Sequence, residues 1–269
     1  MYSGVSGMRG FQTKLDVIGN NIANVNTAGF KAGRVMFKDI MSQTVSGTTA
    51  PVEGTTGGAN AKQIGLGSSI GSIDTLHTAG SAMTTNNPLD LRIDGDGFFL
   101  VKLSEEQEEP YLTRAGDFHL DAARQLVTSD GFFVVDNDGG IITLEEEVTA
   151  FTIDQNGRIV AKLADGTTTG EDGVQLGMAR VVNPEGLEKI GGSLYRNTPN
   201  AQLDELELTT ANNQEFGTGK IIAGQLEMSN VDLTGEFTEM IVAQRGFQAN
   251  SRIITTSDEI LQEVVNLKR

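Results

Sequence analysis

Apolar residues recur at helical spacing at both ends of this chain, and the region between them reads as a polar connector followed by β-structure. Near the N-terminus Met8, Phe11, Leu15, Ile18, Ile22 and Val25 lie 3, 4, 3, 4 and 3 residues apart. That is a heptad seam, and Val5 extends it by one step. Near the C-terminus Phe237, Met240, Ile241, Phe247, Ile254, Leu261 and Val265 fall largely on one stripe, reinforced by Ile253, Ile260 and Leu267. No proline follows Pro199. The second pattern therefore predicts a helix of about 35 residues, on the order of 50 Å long. Asn230, Asp232 or Thr234 offers its N-cap, Glu236 suits its first turn, and Lys268 and Arg269 suit its last. Gly29 is the expected stop of the first helix.

The middle reads differently. Residues 41–75 are polar and rich in Gly, Ser and Thr, as in SGTTAPVEGTTGGANAK, and predict an extended connector. From 76 to 225, short apolar runs such as FFLV (98–101), FFVV (132–135), FTI (151–153) and RIV (158–160) alternate with turn formers. These are DGDG (94–97), SDG (129–131), NDGG (137–140), QNG (155–157) and ADG (164–166). The pattern predicts an antiparallel sandwich or barrel-like domain. The chain is thus expected to be α+β. Residues 1–40 and 226–269 would form a coiled-coil-like helical domain, 41–75 a connector, and 76–225 a β-rich outer domain.

Composition narrows the function. Lys plus Arg number 20 against 36 Asp plus Glu, a net charge of −16. Such a surface repels phosphate backbones, so neither nucleic acid nor an anionic membrane is an expected partner. There are no cysteines, which removes disulfides and thiolate chemistry. No apolar run is long enough to span a bilayer. No basic patch followed by an apolar block marks a signal peptide.

Motifs that could carry chemistry read more simply as structure. The two histidines, His77 and His119, have no second ligand at useful spacing. GLGSSIG (65–71) lacks the glycine spacing of a dinucleotide loop. Gly219-Lys220 lacks the upstream glycine of a phosphate loop. DGDG and DNDGG lack the distal glutamate of a calcium loop. EEQEE (105–109) reads as a solvated loop. No catalytic residue, cofactor or metal site is expected. A cell-wall-binding module is a lower alternative, weakened by the absence of tryptophan and the presence of only three tyrosines.

The terminal segments LDVIGNNIANVNTAGFKAGRVMF (15–37) and SNVDLTGEFTEMIVAQRGFQANSRIITTSDEILQEVVNLKR (229–269) resemble the paired signatures of bacterial flagellar axial proteins. The match includes Asn20, Asn21, Asn24, Gly29, Phe30 and Lys31 at one end. At the other it includes Asn230, Val231, Asp232, Met240, Gln244, Arg245, Asn250 and Asp258. LDLRIDGDGFFLV (89–101), YLTRAGDFHLD (111–121) and LVTSDGFFV (126–134) resemble the β-domain of that family. The resemblance implies a non-enzymatic subunit exported through the flagellar type III apparatus without a cleaved signal. It also implies assembly into a helical tube with copies of itself, neighbouring rod proteins, the hook cap and hook–filament junction proteins. Among members, LDVIGNNIAN, FKDI (37–40) and the C-terminal segment look most like the hook protein. The distal rod protein is the alternative. Relatives often begin a few residues earlier, which leaves room for an upstream start.

The expected assembly interface is Val5, Met8, Phe11, Leu15, Ile18, Asn20, Asn21, Ile22, Asn24, Val25, Phe237, Met240, Ile241, Gln244, Phe247, Asn250, Ile254, Leu261 and Val265. Asparagine and glycine weaken the first helix by roughly 0.5–1 kcal/mol each relative to alanine. Its stripe therefore predicts a helix that forms fully only against partners.

Overall fold

The computed structural model describes residues 2–51, 57–107, 109–144, 148–163, 174–203 and 206–267. ADG at 164–166, Glu108 of the acidic run, and Lys268 with Arg269 lie outside the described residues. The chain forms two compact units, each assembled from separate segments. Unit 1 comprises Met1–Ala23, Gly33–Thr75 and Asp232–Arg269, and unit 2 comprises Asn24–Ala32 and Leu76–Val231.

Unit 1 holds the two long helices, α1 at Tyr2–Ala23 and α2 at Leu233–Leu267. The α1 helix stops six residues before Gly29, so Val25 falls beyond it. Asn24, Asn26 and Thr27 explain the early stop, because their side chains compete with helical hydrogen bonding. Thr27 N–H donates to Asn24 O (3.2 Å), and the Thr27 hydroxyl donates to the Asn24 side-chain oxygen (3.2 Å). Gly29 does adopt a left-handed φ of +67°, but in a loop. Of the three candidate N-caps for α2, Asp232 is the one used: its carboxylate accepts from Thr234 N–H (3.0 Å).

The rest of unit 1 is a β-ribbon. Gly33–Asp39 pairs antiparallel with Ser68–Thr75, with a bulge between Met36 and Phe37. Ser42–Ser46 pairs with Lys62–Gly65. Strands therefore run through much of 41–75, and a strand rather than helix occupies 33–39. GLGSSIG leads into the Ser68–Thr75 strand, with Gly67 at φ +125°. The Ser6 hydroxyl donates to Ser68 O, and the Phe11 and Phe37 rings lie 5.9 Å apart.

Unit 2 is built around Phe98–Lys102, every residue of which is buried. One edge pairs with Tyr111–Thr113. The other is shared between Phe133–Val134 and Met178–Ala179. Alternation sends Phe99 and Val101 to one face, among Leu91, Phe118, Leu126, Val134 and Met178. Phe98 and Leu100 go to the other, among Leu112, Val135, Ala179, Val181 and Tyr195. A continuous apolar run is what burial on both faces demands. Among the described residues the sheet has nine strands with a branch at Phe98–Lys102, and several separate two-stranded pairs. The sheets do not close, so the barrel form expected from sequence gives way to open, layered sheets. The SDG and QNG turns stand as read, with Gly131 at φ +85° and Gly157 at +77°. A side chain there would be strained.

Candidate assembly surface

In unit 1 the helices run antiparallel. Gly4 lies by Ile254, Gly7 by Asn250, and Gly246 by Phe11. Lys14 forms an ion pair with Glu239, and Asn21 donates to Glu236 (2.9 Å). The closest approach is made by small residues. Gly4, Gly7 and Gly10 are buried on α1 at intervals of three, Gly4 and Gly7 against α2 and Gly10 against the Phe37 ring. A Cβ on Gly7 would stand 2.8 Å from the Asn250 amide, and one on Gly246 would stand 2.6 Å from the Phe11 ring. Sequence reasoning missed these glycines. Their i, i+3, i+6 spacing was the available signal, because it places bare backbone on one helical face.

The predicted seam residues divide. Ile18 and Asn21 are buried. Met8, Phe11, Leu15 and Ile22 on α1, and Met240, Asn250 and Ile254 on α2, are half-buried. Asn24 and Val25 lie in the turn after α1, also half-buried. Val5 and Asn20 are exposed, as are Phe237, Ile241, Gln244, Phe247, Leu261 and Val265. The single stripe read on α2 is thus two faces. Glu236, Met240, Ala243, Asn250 and Ile254 turn toward α1, while Phe237, Ile241 and Gln244 turn away. Since Gly4 meets Ile254, the final ten residues of α2, Asp258–Leu267, run past the start of α1 by roughly 15 Å. Ile260, Leu261, Val264 and Val265 are all at least half exposed there.

Asn21 explains one asparagine of the weak helix. Its Nδ2 donates to Gly33 O (2.9 Å) and its Oδ1 accepts from Gly33 N–H (3.0 Å), closing a strand end against the helix. Burial raises the Glu236 carboxyl above its usual range, and the Asn21 hydrogen bond offsets only part of that.

Unit 2 contains a buried ion cluster. Lys31 and Glu227, each about 1% exposed, meet at 2.5 Å. Glu227 also accepts from Gly80 N–H (2.9 Å) and Arg114 (3.3 Å). Lys31 donates to Thr78 O (2.9 Å), and Glu227 O accepts from Gly29 N–H (2.8 Å). Burial alone would raise Glu227, but the charges of Lys31 and Arg114 outweigh it and hold the carboxyl below its usual range. Burial pulls the Lys31 amine down, against the attraction of Glu227. Asn230 completes the clasp: its side chain accepts from Ala32 N–H (2.8 Å) and donates to Leu76 O (2.8 Å). The segment following α1 and the segment preceding α2 are therefore fastened within the same unit. Lys31 and Asn230 belong to the terminal signatures. Arg114 lies in the β-domain segment YLTRAGDFHLD, and nothing marked it or Glu227 as part of an ion cluster.

Comparison with known proteins matches three stretches of the chain. Residues 1–31 match the family model "Flagella basal body rod protein". Residues 92–161 match "Flagellar hook protein FlgE/F/G D1 domain", and 222–267 match "Flagellar basal body rod FlgEFG protein C-terminal". The chain is 54% identical to flagellar basal-body rod protein FlgG of Bacillus subtilis, over 100% of this chain and 98% of that one. It is 36% identical to FlgG of Borreliella burgdorferi over 100% and 98% of the two chains. Against flagellar hook protein FlgE of the same organism it is 29% identical across an alignment of 450 positions, covering 100% and 99%. With glycine-packed terminal helices, a clasp built from both signatures, and full-length matches to these relatives, the chain belongs to the flagellar rod and hook axial protein family.

Proposed function

We propose that this chain is a structural subunit of the distal rod of the bacterial flagellum, polymerising with copies of itself into a stiff tube. The observation that carries the rod over the hook is the 54% identity to a rod protein along essentially the whole of both chains. The hook relative aligns only when stretched over 450 positions, so it contains a large portion with no counterpart here. The hook preference drawn from sequence rested on terminal motifs that rod and hook relatives share. The ribbon also favours a rod. The paired strands within 41–75 make a stiffer link than the extended connector expected of a bending joint, and Met41, Val45 and Ile64 stand mostly exposed there.

In this reading the outer face of α2, with Val5, Phe237, Ile241, Gln244, Phe247, Leu261 and Val265, meets neighbouring subunits. These apolar side chains are already about half buried, so covering the remainder of each contributes roughly 0.5–2 kcal/mol. Adjoining rod and hook subunits are the expected axial neighbours, and the subunit reaches them by type III export. The test is electron microscopy of basal bodies from a strain lacking the gene. Truncated rods are expected. Complete rods that end without a hook would overturn the rod reading in favour of the hook.

A further inference from the structure

Unit 2 contains a cavity of about 130 Å³ beside the ion cluster, with Arg114 common to both. His77, Asp96, Phe98, Arg114 and Arg180 are among the residues that line it. Arg114 is 5% exposed. Its two terminal nitrogens are occupied, by Glu227 (3.3 Å) and by Gly95 O (3.0 Å), but its Nε is buried with no partner. The Nδ1 of His77 is also buried with no partner. A buried polar atom left unsatisfied costs roughly 1–3 kcal/mol, and both atoms belong to residues that line this cavity, so a polar guest that shifts the packing over them would recover that cost. Arg180 is exposed and anchored by one nitrogen on Phe216 O (2.9 Å). Asp96 is exposed, and among the described residues no ion pair joins it to either arginine.

The dimensions and charges select the guest. Nucleotides and sugars need pockets of about 300 Å³ or more. A planar group with two acceptor oxygens suits guanidinium donors. His77 adds a polar contact without charge, because burial and the nearby cations Lys31, Arg114 and Lys189 push its pKa down to about 4. Asp96 at the same cavity penalises a dianion such as phosphate more than a monoanion. We propose that this cavity binds a single carboxylate group, with Arg114 and Arg180 as charged donors and His77 as a neutral partner. The group is either a small free carboxylate or an Asp or Glu side chain from a second copy of this chain. The proposal does not rest on the rod reading.

The test is NMR of the full chain at pH 7, following the His77 ring and the arginine Nε–H signals while acetate replaces chloride at fixed ionic strength. A saturable shift at His77 and Arg114, with His119 unmoved as the internal control, is expected. Arg180→Ala should weaken acetate at least about tenfold, with Arg180→Lys falling between, and circular dichroism should report an intact fold for this exposed site. Asp96→Asn should tighten acetate. A shift that never saturates, an Arg180→Ala variant that binds acetate as well as the parent, or tighter binding of phosphate than of acetate would each overturn the proposal. Assembly then separates the sources. If acetate and Arg180→Ala both raise the concentration needed for polymerisation, the carboxylate comes from a second copy. If assembly ignores both while the monomer binds acetate, the guest is a free carboxylate. A chain that binds acetate but never assembles would count against the rod reading and leave the cavity assignment standing.

Discussion

Replacing Glu227 with glutamine tests the clasp of unit 2 directly. The carboxylate receives three donors, from Lys31 at 2.5 Å, Gly80 N–H at 2.9 Å and Arg114 at 3.3 Å. Glutamine keeps one acceptor oxygen but removes the only negative charge of the cluster. Two cations that are 1% and 5% exposed would then face each other without a counter-ion. Breaking a buried pair from one side costs about 3–5 kcal/mol, because a charge is left buried and uncompensated. At 1.36 kcal/mol per tenfold, that is roughly a few hundred- to a few thousand-fold increase in opening. Native-state amide exchange at Phe98–Lys102 reads this, since a strand buried along its whole length exchanges only when the unit opens. Adding Lys31→Met should recover part of the loss, so the double variant costs less than the sum of the singles. The sign with pH also follows. The Glu227 carboxyl is held below its ordinary value. Its contribution is therefore present above about pH 4.5 and lost as pH falls through the folded value. Glu227→Gln should accordingly flatten the acid limb of stability below pH 4.5. An exchange increase under about tenfold, or strict additivity with Lys31→Met, would refute the reasoning.

Four further outcomes are expected. His77 ionises near 4 when folded and near 6.5 when free. As pH falls from 6.5 to 4 the unfolded chain takes up a proton that the folded one refuses, costing about 3 kcal/mol in all. In His77→Phe the denaturation midpoint should fall less steeply over that window, and parallel slopes would contradict it. Gly116→Ala would put a Cβ 1.8 Å from Leu91 O, whereas Gly140 has nothing within 4 Å. Urea titration should show more than about 3 kcal/mol lost at Gly116 and under about 0.5 at Gly140. Amide exchange in the monomer should be weakly protected along α1, which buries only Ile18 among its large apolar residues, and should slow strongly on polymerisation. Strong protection of residues 5–23 in the monomer would sink that expectation. Ile241→Asp should leave the monomer's circular dichroism unchanged, because Ile241 is 55% exposed, yet abolish assembly as read by sedimentation.

What was legible in the sequence was whatever short-range periodicity controls. The terminal helices, the doubly buried FFLV strand and the glycine turns each leave a pattern within ten residues or so. The inner face of α2 was not legible, because apolar spacing was read as the contact. The contact with α1 is made instead by Ala243, Gly246 and Asn250, which a search for large apolar residues passes over. The end of α1 was misplaced because the apolar seam continues to Val25 while asparagine chemistry stops the helix at Ala23. Lys31, Arg114 and Glu227 had no signal as a set, since nothing local marks a pair 196 residues apart in sequence. The motifs used to choose between rod and hook do not separate them, because they are common to both.

That separation has a consequence in time. A ribosome adding roughly 5–20 residues per second needs about 10–40 seconds to travel from Lys31 to Glu227. Throughout that interval Lys31 has been made and its counter-ion has not, so the clasp cannot close. The same delay recurs whenever the chain is delivered end-first through any passage. Both units draw on the last stretch of chain, at 223–231 for one and 232–267 for the other. Neither can mature early, and a copy interrupted before residue 227 carries an unmatched cation where the finished protein has a sealed joint.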